Sequence, residues 1–117
     1  MKMLNTKFPK IKWQEAVLPN TLEEQAKYFN RVKLIFSIHG SIFANGLFMQ
    51  NDTAIVDLQM EQWLLSFLYL TSYTGKYMVA GRDPAISWRG LTPNIINLNY
   101  VEKLIETALK EMNVTYN

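Results

Sequence analysis

The feature that most constrains the fold is a set of three short apolar runs separated by segments with helical patterns. The runs occupy residues 33–38, 53–58 and 76–80 and are rich in β-branched, aromatic and aliphatic residues. The first run is almost continuously apolar, which is typical of a strand covered on both faces in a parallel sheet. Strands that alternate with helices at this spacing predict an α/β fold, namely a Rossmann-like parallel sheet with helices on both faces.

The first predicted helix begins at Thr21. Thr21 and Glu24 have the spacing of a capping box, in which the hydroxyl and the carboxylate satisfy free backbone amides reciprocally. Leu22, Ala26 and Phe29 then recur on one helical face, and the pattern stops two residues later. We expect this face to lie on the sheet.

Three further helices are predicted after the first strand. A short helix over residues 41–49 has Ser41 as its cap, and its inward-facing side chains are Ile42, Leu47 and Phe48. A buried helix is expected over residues 61–73, with Gly75 at its carboxyl end. The apolar stripe through residues 98–112 predicts the last helix, with Asn99 as cap and Glu102 as its third residue.

Two segments have weaker patterns. Residues 11–17 alternate apolar and polar side chains, which predicts a strand, although Glu15 falls on its inner face. Residues 81–93 combine glycines and prolines with Arg82 and Arg89, which predicts a loop or lid.

Length and composition limit the class of protein. A chain of 117 residues, 49% of them hydrophobic, predicts a single domain over residues 1–117. The formal charge is +2 with scattered basic residues, so we expect no nucleic-acid partner. Cysteine is absent, which excludes disulfides and thiolate chemistry. The longest apolar run, residues 63–73, is far shorter than the roughly 20 residues that span a bilayer, and no secretory signal precedes it, so we expect a cytoplasmic protein without a membrane span.

The segment that indicates function is the turn after the first strand, because ligands of open α/β sheets bind at the carboxyl ends of the strands. Gly40 allows the backbone to approach a ligand closely. The amides of Ser41 and Ile42 would point outward at a helix amino terminus, which suits a diphosphate. His39 can donate a further hydrogen bond.

This order of motifs resembles glycosyltransferase family 61, whose members carry a Ser/Thr-x-x-Glu-Gln helix, a strand ending in His-Gly-Ala-Gly-Leu-Thr-Asn, then Leu-Phe and a strand ending in Glu. The similarity runs over roughly residues 15–110. The matching positions of the helix and the loop are Thr21, Glu24, Gln25, His39, Gly40, Ser41 and Asn45, and they are followed by Leu47, Phe48, Asp57, Gly75 and Tyr77.

The chain departs from the family pattern at four positions. Ile42 replaces the second glycine of the loop, Phe43 its leucine and Ala44 its threonine. Asp57 stands where the family has Glu. A hydroxyl for phosphate contact at position 44 is therefore absent, and Ser41 offers its own hydroxyl close by.

The resemblance implies the carboxyl-terminal, donor-binding half of a GT-B glycosyltransferase, which would bind a nucleotide sugar for inverting hexosyl or pentosyl transfer and would need an acceptor-binding partner or a missing amino-terminal half. The implied donor-binding residues are His39, Gly40, Ser41, Asn45, Gln25 and Asp57, and Arg82 and Arg89 are candidate diphosphate contacts. No metal-type spacing of His with carboxylates is present, so no metal cofactor is expected. The general base would belong to an acceptor-binding half, so we expect this chain to be inactive without an acceptor-binding partner chain or a second copy of itself.

Other interpretations of the same residues remain open. His39 can be a plain strand-end histidine, and Asp57 can cap the following helix. Capping alone explains Thr21 and Glu24. The whole chain can also be a non-catalytic remnant of the fold that acts as an interaction or structural module. A receiver-like regulator is a third class, but the acidic cluster that it needs at the end of the first strand is missing.

Overall fold

The computed structural model describes residues 1–60, 74–84 and 96–116, together with Phe67, Leu68, Thr71 and Ile86. Its centre is a parallel sheet in which three strands follow one another in chain order. Strand β1 spans Leu34–Ile38, β2 spans Ala54–Gln59 and β3 spans Tyr77–Arg82. The predicted parallel α/β sheet is confirmed. The described strands show no reversal of order, so the described sheet does not contain the switch point of a doubly wound sheet.

Among the elements whose bounds are described, three α-helices and one 3₁₀ segment surround the sheet. Helix α1 spans Lys2–Lys7, α2 spans Leu22–Asn30 and α3 spans Leu98–Glu111. The 3₁₀ segment spans Ser41–Phe48 and connects β1 to β2. Among the described residues, no helix is long and apolar enough to cross a membrane.

The strand register divides the core into two clusters, one on each face of the sheet. Register partners Ile35 and Ile55 pack with residues of α2 and the 3₁₀ segment, and we call this side the α2 face. Val56 and Leu58 point to the opposite side, where they pack against α3, and we call this side the α3 face. Because side chains alternate along a strand, Asp57 and Gln59 lie on the α2 face. All six residues of β2 are buried, as expected for the central strand.

The structure confirms the start of α2 and corrects one of its contacts. The hydroxyl of Thr21 accepts a hydrogen bond from the Glu24 amide at 3.2 Å, as the capping pattern predicts. Phe29 is buried in the core. Leu22 was expected to face inward, but 71% of its surface is exposed. The helix packs mainly against the 3₁₀ segment rather than flat on the sheet.

The predicted helix over residues 41–49 is a 3₁₀ segment instead of an α-helix. Its buried residues are Phe43, Asn45 and Gly46, and Met49 at its carboxyl end is buried too. Phe43, Gly46 and Met49 recur every three residues, the repeat of a 3₁₀-helix. The inward position predicted for Leu47 is therefore wrong, and 58% of that residue is exposed. Ser41 is not the cap, because Gly40 occupies that position and no side chain caps the segment.

Helix α3 confirms the predicted apolar stripe but begins with a different cap. The side chain of Asn97 accepts a hydrogen bond from the Tyr100 amide at 3.1 Å. Asn97 therefore caps the helix, and Asn99 lies inside its first turn. The five buried residues of the helix follow the predicted stripe: Val101, Leu104, Ile105, Ala108 and Leu109.

Two other predictions change at the ends of the sheet. Residues 11–17 form no strand, because Glu15 and Val17 remain exposed and only Ile11 and Trp13 pack against the core of the α3 face. Strand β3 extends to Arg82, so Gly81 and Arg82 belong to a strand instead of the predicted loop.

Two predicted segments lie largely outside the described residues. Of the helix expected over 61–73, Phe67, Leu68 and Thr71 are described, and they are helical. Arg89 and most of the predicted loop around it lie outside the described part of the chain. Gly75 follows in a turn with φ +68, a backbone conformation that favours glycine.

Candidate functional site

A buried polar pair joins the carboxyl ends of β1 and β2. Nδ1 of His39 lies 2.7 Å from Oδ2 of Asp57. The side chains are 6% and 0% exposed, so both groups lie inside the protein. The backbone explains their meeting, because the His39 amide donates to the Leu58 carbonyl at 2.9 Å and thus continues the ladder one residue beyond β1. Two of the six predicted donor-binding residues are therefore in direct contact with each other.

Gln59 completes this pair and was not predicted from the sequence. Its amide nitrogen donates to Oδ2 of Asp57 at 2.8 Å and lies 3.3 Å from Nδ1 of His39. Gln59 is fully buried at the end of β2. Its position two residues after Asp57, on the same face of the strand, is the sequence signal that could have identified it. We call His39, Asp57 and Gln59 the polar trio.

The electrostatics of the trio are dominated by the burial of the carboxyl group. Burial raises the pKa of Asp57 above its ordinary value, and the contacts with His39 and Gln59 partly oppose that rise. Oδ1 of Asp57 is buried without a hydrogen-bond partner among the described residues. A buried carboxylate oxygen without a donor is costly, so protonation of the pair is favoured.

Aromatic rings form the remaining described surroundings of the imidazole. The ring centroid of His39 lies 5.3 Å from that of Phe67 and 6.4 Å from that of Phe43. The two phenyl rings also contact each other edge to face at 5.8 Å. Nε2 of His39 makes no hydrogen bond to a described residue. The imidazole therefore has one polar side, towards Asp57, and apolar neighbours elsewhere.

A second group of predicted residues lines a groove between α2 and the 3₁₀ segment. The groove has a volume of about 330 Å³. Gln25, Ser41 and Asn45 supply polar groups to it, whereas its other walls are mainly apolar: Leu18, Leu22, Ile42, Ala44, Leu47 and Phe48. Three of the predicted donor-binding residues thus share one surface. His39 and Asp57 are not among its lining residues.

The two amide side chains of the groove are held by backbone carbonyls. Nε2 of Gln25 donates to the Pro19 carbonyl at 3.0 Å, and Nδ2 of Asn45 donates to the Ile42 carbonyl at 3.0 Å. Each nitrogen has a second N–H group, so these residues can offer a ligand both a donor and a carbonyl oxygen that accepts. Ser41 is exposed, and its hydroxyl makes no hydrogen bond to a described residue.

The turn at Gly40 connects the polar trio to the groove. The first backbone hydrogen bond of the 3₁₀ segment runs from the Phe43 amide to the Gly40 carbonyl at 3.3 Å, so the amides of Ser41 and Ile42 precede the first bonded turn. Gly40 has φ 178, an extended conformation that any residue adopts. A Cβ at this position would meet only the Ile38 carbonyl oxygen, at 3.7 Å. The backbone conformation therefore does not demand glycine here.

Two further positively charged regions border these features. Arg82 ends β3 as the register partner of Gln59, and its backbone amide donates to the Tyr100 hydroxyl at 3.1 Å. On the other side of α2, Lys27 and Arg31 line an open depression of about 840 Å³ that shares Leu47 and Phe48 with the groove. The sequence did not single out this basic depression. In the described part of the chain, no cluster of three or more His, Asp or Glu side chains could hold a metal ion.

The comparison with protein families concerns the same half of the chain. Residues 1–56 match the family model described as Glycosyltransferase 61. The matched range contains α2, β1 and the 3₁₀ segment, and it stops inside β2, one residue before Asp57. The match supports the resemblance to glycosyltransferase family 61 over these residues, whereas the similarity predicted as far as about residue 110 extends beyond it. No curated protein and no solved structure matches the chain.

Proposed function

We propose that this chain is a nucleotide-sugar-binding domain of family 61 glycosyltransferase type, related to the donor-binding half of GT-B enzymes. The observation that carries the proposal is the groove between α2 and the 3₁₀ segment. It begins at the turn after β1 and brings Gln25, Ser41 and Asn45 together. All three lie in the range that matches the family model.

The chemistry of the groove suits a nucleotide. A volume of about 330 Å³ falls at the lower end of the roughly 300–1,000 Å³ of small-molecule sites. The apolar walls provide contact area for a base and a ribose, and the Gln25 and Asn45 carbonyl oxygens provide acceptors for their donors. The Ser41 and Ile42 amides offer the donors that a diphosphate needs. Arg82 and Arg89 are the candidate side chains for its remaining charge.

Transfer of the sugar requires groups that this site does not supply. Inversion needs a general base to remove the proton of the acceptor hydroxyl while the diphosphate leaves. We assign that base to an acceptor-binding partner, either a separate chain or a second copy, so this chain alone is inactive. Exposed Leu18, Leu22 and Leu47 at the rim of the groove fit a surface that such a partner covers.

Calorimetry of the unmodified chain tests the proposal. Nucleoside diphosphates and their hexosyl and pentosyl derivatives are titrated in turn, and we expect heat with at least one base. Gln25→Leu should weaken its binding about 2- to 13-fold, the equivalent of about 0.5–1.5 kcal/mol for one hydrogen bond. The matched control is Gln50→Leu, an exposed glutamine away from the groove, which should bind as the wild type does. Absence of heat with every compound would refute the proposal.

Gly40→Ala gives a second test at the proposed diphosphate position. The fold has room for the added methyl group, whose nearest neighbour would lie at 3.7 Å. A ligand that approaches the Gly40 backbone would meet this methyl group directly. We therefore expect weaker nucleotide binding with unchanged stability, and unchanged affinity would place the ligand elsewhere.

The burial of the polar trio favours a second candidate, a non-catalytic remnant that serves as an interaction or structural module. His39 and Asp57 satisfy each other in the interior, so a motif that once held a ligand can persist for folding alone. The departures at Ile42, Phe43 and Ala44 agree with this role. His39→Ala would then leave the biological activity of the folded chain unchanged, and nucleotides would give no heat.

A further inference from the structure

The basic depression beside α2 contains a cation that no described acidic side chain balances. Lys27 and Arg31 line it together, and their spacing of four residues places them on one side of the helix. Lys27 is paired with Glu23 at 3.0 Å. The Arg31 guanidinium makes no ion pair or hydrogen bond to a described residue, and none of the described residues that line the depression is acidic. Arg31 follows the last residue of α2, where a cation also interacts favourably with the helix dipole, but that interaction leaves its N–H donors available to a ligand.

The other walls of the depression are mainly apolar. Ala26 of α2 and Leu47 and Phe48 of the 3₁₀ segment supply them, and 58% of Leu47 is exposed. A pyranose ring presents C–H groups on its faces, which pack against aliphatic and aromatic side chains. A small inorganic anion has no such groups. The walls therefore favour an anion that is attached to a larger, partly apolar body such as a sugar ring.

The remaining lining residue, Asn30, is held in place by hydrogen bonds. Its Nδ2 atom donates to the Phe48 carbonyl at 3.2 Å, and its Oδ1 atom accepts from Nε2 of Gln50 at 3.4 Å. Oε1 of Gln50 in turn lies 3.5 Å from Nζ of Lys33. Because an amide nitrogen has two N–H groups, Asn30 retains one donor for a ligand. The depression thus combines two cations with a fixed amide donor that suits a hydroxyl group.

The depression is a neighbour of the groove proposed for the nucleotide sugar. Leu47 and Phe48 line both, so a ligand in the depression would contact the same two side chains as a nucleotide sugar in the groove. The volume of about 840 Å³ lies within the roughly 300–1,000 Å³ of small-molecule sites. Position and size therefore suit the second substrate of a glycosyl transfer, the acceptor.

We propose that the basic depression binds the acceptor, and that this acceptor is a saccharide with an anionic group, either a carboxylate or a phosphate. Arg31 binds the anionic group through the planar, bidentate geometry of its guanidinium. Lys27 adds positive charge, and Asn30 donates to a hydroxyl group of the sugar. This inference rests on the proposed function, because it names the substrate class that binds next to the nucleotide sugar. The acceptor-binding partner would still supply the general base.

Titrations of the ¹⁵N-labelled full chain, followed by NMR, test this substrate class. The probes are methyl glucuronide, which has a carboxylate, glucose 6-phosphate, and methyl glucoside as the neutral control. We expect at least one acid sugar to shift the amide signals of residues 26–31 and 47–48 and to bind more tightly than the neutral sugar. The two acid sugars distinguish a carboxylate from a phosphate as the source of the charge. Added salt should weaken binding of the acid sugar, because the cations are exposed.

Substitutions of the charged residues give a matched comparison. Lys27→Gln and Arg31→Gln should each weaken binding of the acid sugar about 1.5- to 5-fold, the range of exposed ion pairs. The control is Lys110→Gln, because Lys110 is also an exposed lysine in the last turn of a helix and is paired with a glutamate four residues earlier. It packs on the α3 face and should leave the affinity unchanged. Glu23→Gln releases Lys27 from its ion pair and should strengthen binding, an increase that damage to the helix would not produce.

The outcomes separate this inference from the proposed function. Absence of binding by both acid sugars, equal affinity for acid and neutral sugars, or shifts confined to amides outside the depression overturns the inference. Tighter binding of the peptide tetraglutamate than of either acid sugar also overturns it and assigns the depression to an acidic protein segment. Heat with a nucleoside diphosphate in any of these cases leaves nucleotide binding intact. Gln25→Leu, which should weaken nucleotide binding, should not change the affinity for the acid sugar, because Gln25 lines the groove and not the depression.

Discussion

Gly81→Ala tests how closely β3 packs against α3. Gly81 is buried on the α3 face of the sheet. A Cβ added there would lie 2.5 Å from Cδ1 of Leu104, 2.7 Å from the Tyr100 hydroxyl and 2.9 Å from Cδ2 of Leu104. These atoms belong to successive turns of α3, so the helix must shift or both side chains must change rotamer. The same contact supports the end of β3, where the Tyr100 hydroxyl accepts from the Arg82 amide.

The size of the effect follows from the overlap. Carbon atoms pack best at about 3.5–4.0 Å, so the new methyl group would be about 1 Å too close. Overpacking of a core by one methyl group costs about 1–3 kcal/mol. Alanine also reduces the conformational entropy of the unfolded chain relative to glycine, which stabilises the folded state by about 0.4–1 kcal/mol. We therefore expect the free energy of unfolding to fall by about 1–2 kcal/mol, which corresponds to about 4–10 °C in Tm for a domain of this size.

Urea titration followed by circular dichroism measures this loss, with Gly40→Ala as the matched control. The two substitutions are chemically identical, but the Cβ at Gly40 would meet nothing closer than 3.7 Å. Gly40→Ala should therefore leave stability unchanged or raise it by up to about 1 kcal/mol. Tyr100→Phe in the Gly81→Ala background removes one of the clashing atoms and should recover part of the loss. Equal stability of the two alanine variants would refute the packing argument.

Three further stability predictions use urea titrations. Burial raises the pKa of Asp57 above its ordinary 3.8, so the stability that this carboxyl contributes is fully present below that pH and is lost as pH rises through the raised pKa. Asp57→Asn should therefore gain stability relative to the wild type as pH rises above 3.8, and a constant difference would contradict this sign. Asn97→Ala should lower the free energy of unfolding by about 1 kcal/mol, because it removes the helix cap. Asn99→Ala should change this free energy very little. A larger loss for Asn99→Ala would show that Asn99 is the cap, as the sequence predicts. Phe29→Ala should cost about 3–5 kcal/mol, far more than Leu22→Ala at an exposed position of the same helix, and similar losses would show that Phe29 does not carry the core contact.

The strands were predictable because burial and backbone preference agree in them. Residues 33–38 and 53–58 are apolar and β-branched, and the central strand β2 has no exposed face on which a different pattern could arise. Helix α3 was equally clear, since its stripe persists over four turns. In these elements every local signal indicates the same structure.

The remaining elements depend on contacts that a sequence does not reveal. The sequence did not reveal the three-residue repeat of Phe43, Gly46 and Met49, because other apolar residues nearby also fit an α-helical pattern. Asn97 and Asn99 are chemically identical cap candidates, and the sequence alone does not show that the Tyr100 amide donates to Asn97. Residues 11–17 alternate correctly, but a strand also needs a neighbouring strand with which to pair.

The candidate site was predictable in its position more than in its contacts. Two polar residues at the carboxyl ends of neighbouring parallel strands must lie close together, so the proximity of His39 and Asp57 follows from the topology. Their mutual hydrogen bond and their burial do not follow from the topology, because the same residues can also face solvent. Gln59 was missed since a glutamine at a strand end is usually exposed.

The fully buried strand β2 has a consequence for which length of the chain can fold by itself. The recognisable similarity ends at residue 56, halfway along that strand, whereas the hydrophobic core needs β3 and α3 to cover its second side. A fragment that ends at residue 56 would lack Leu58 and Met60, and the apolar side chains on the α3 face of its remaining strands would be exposed to solvent. The range of recognisable similarity and the length of chain that must fold are thus different, so we expect residues 1–56 alone to be unable to form a stable domain.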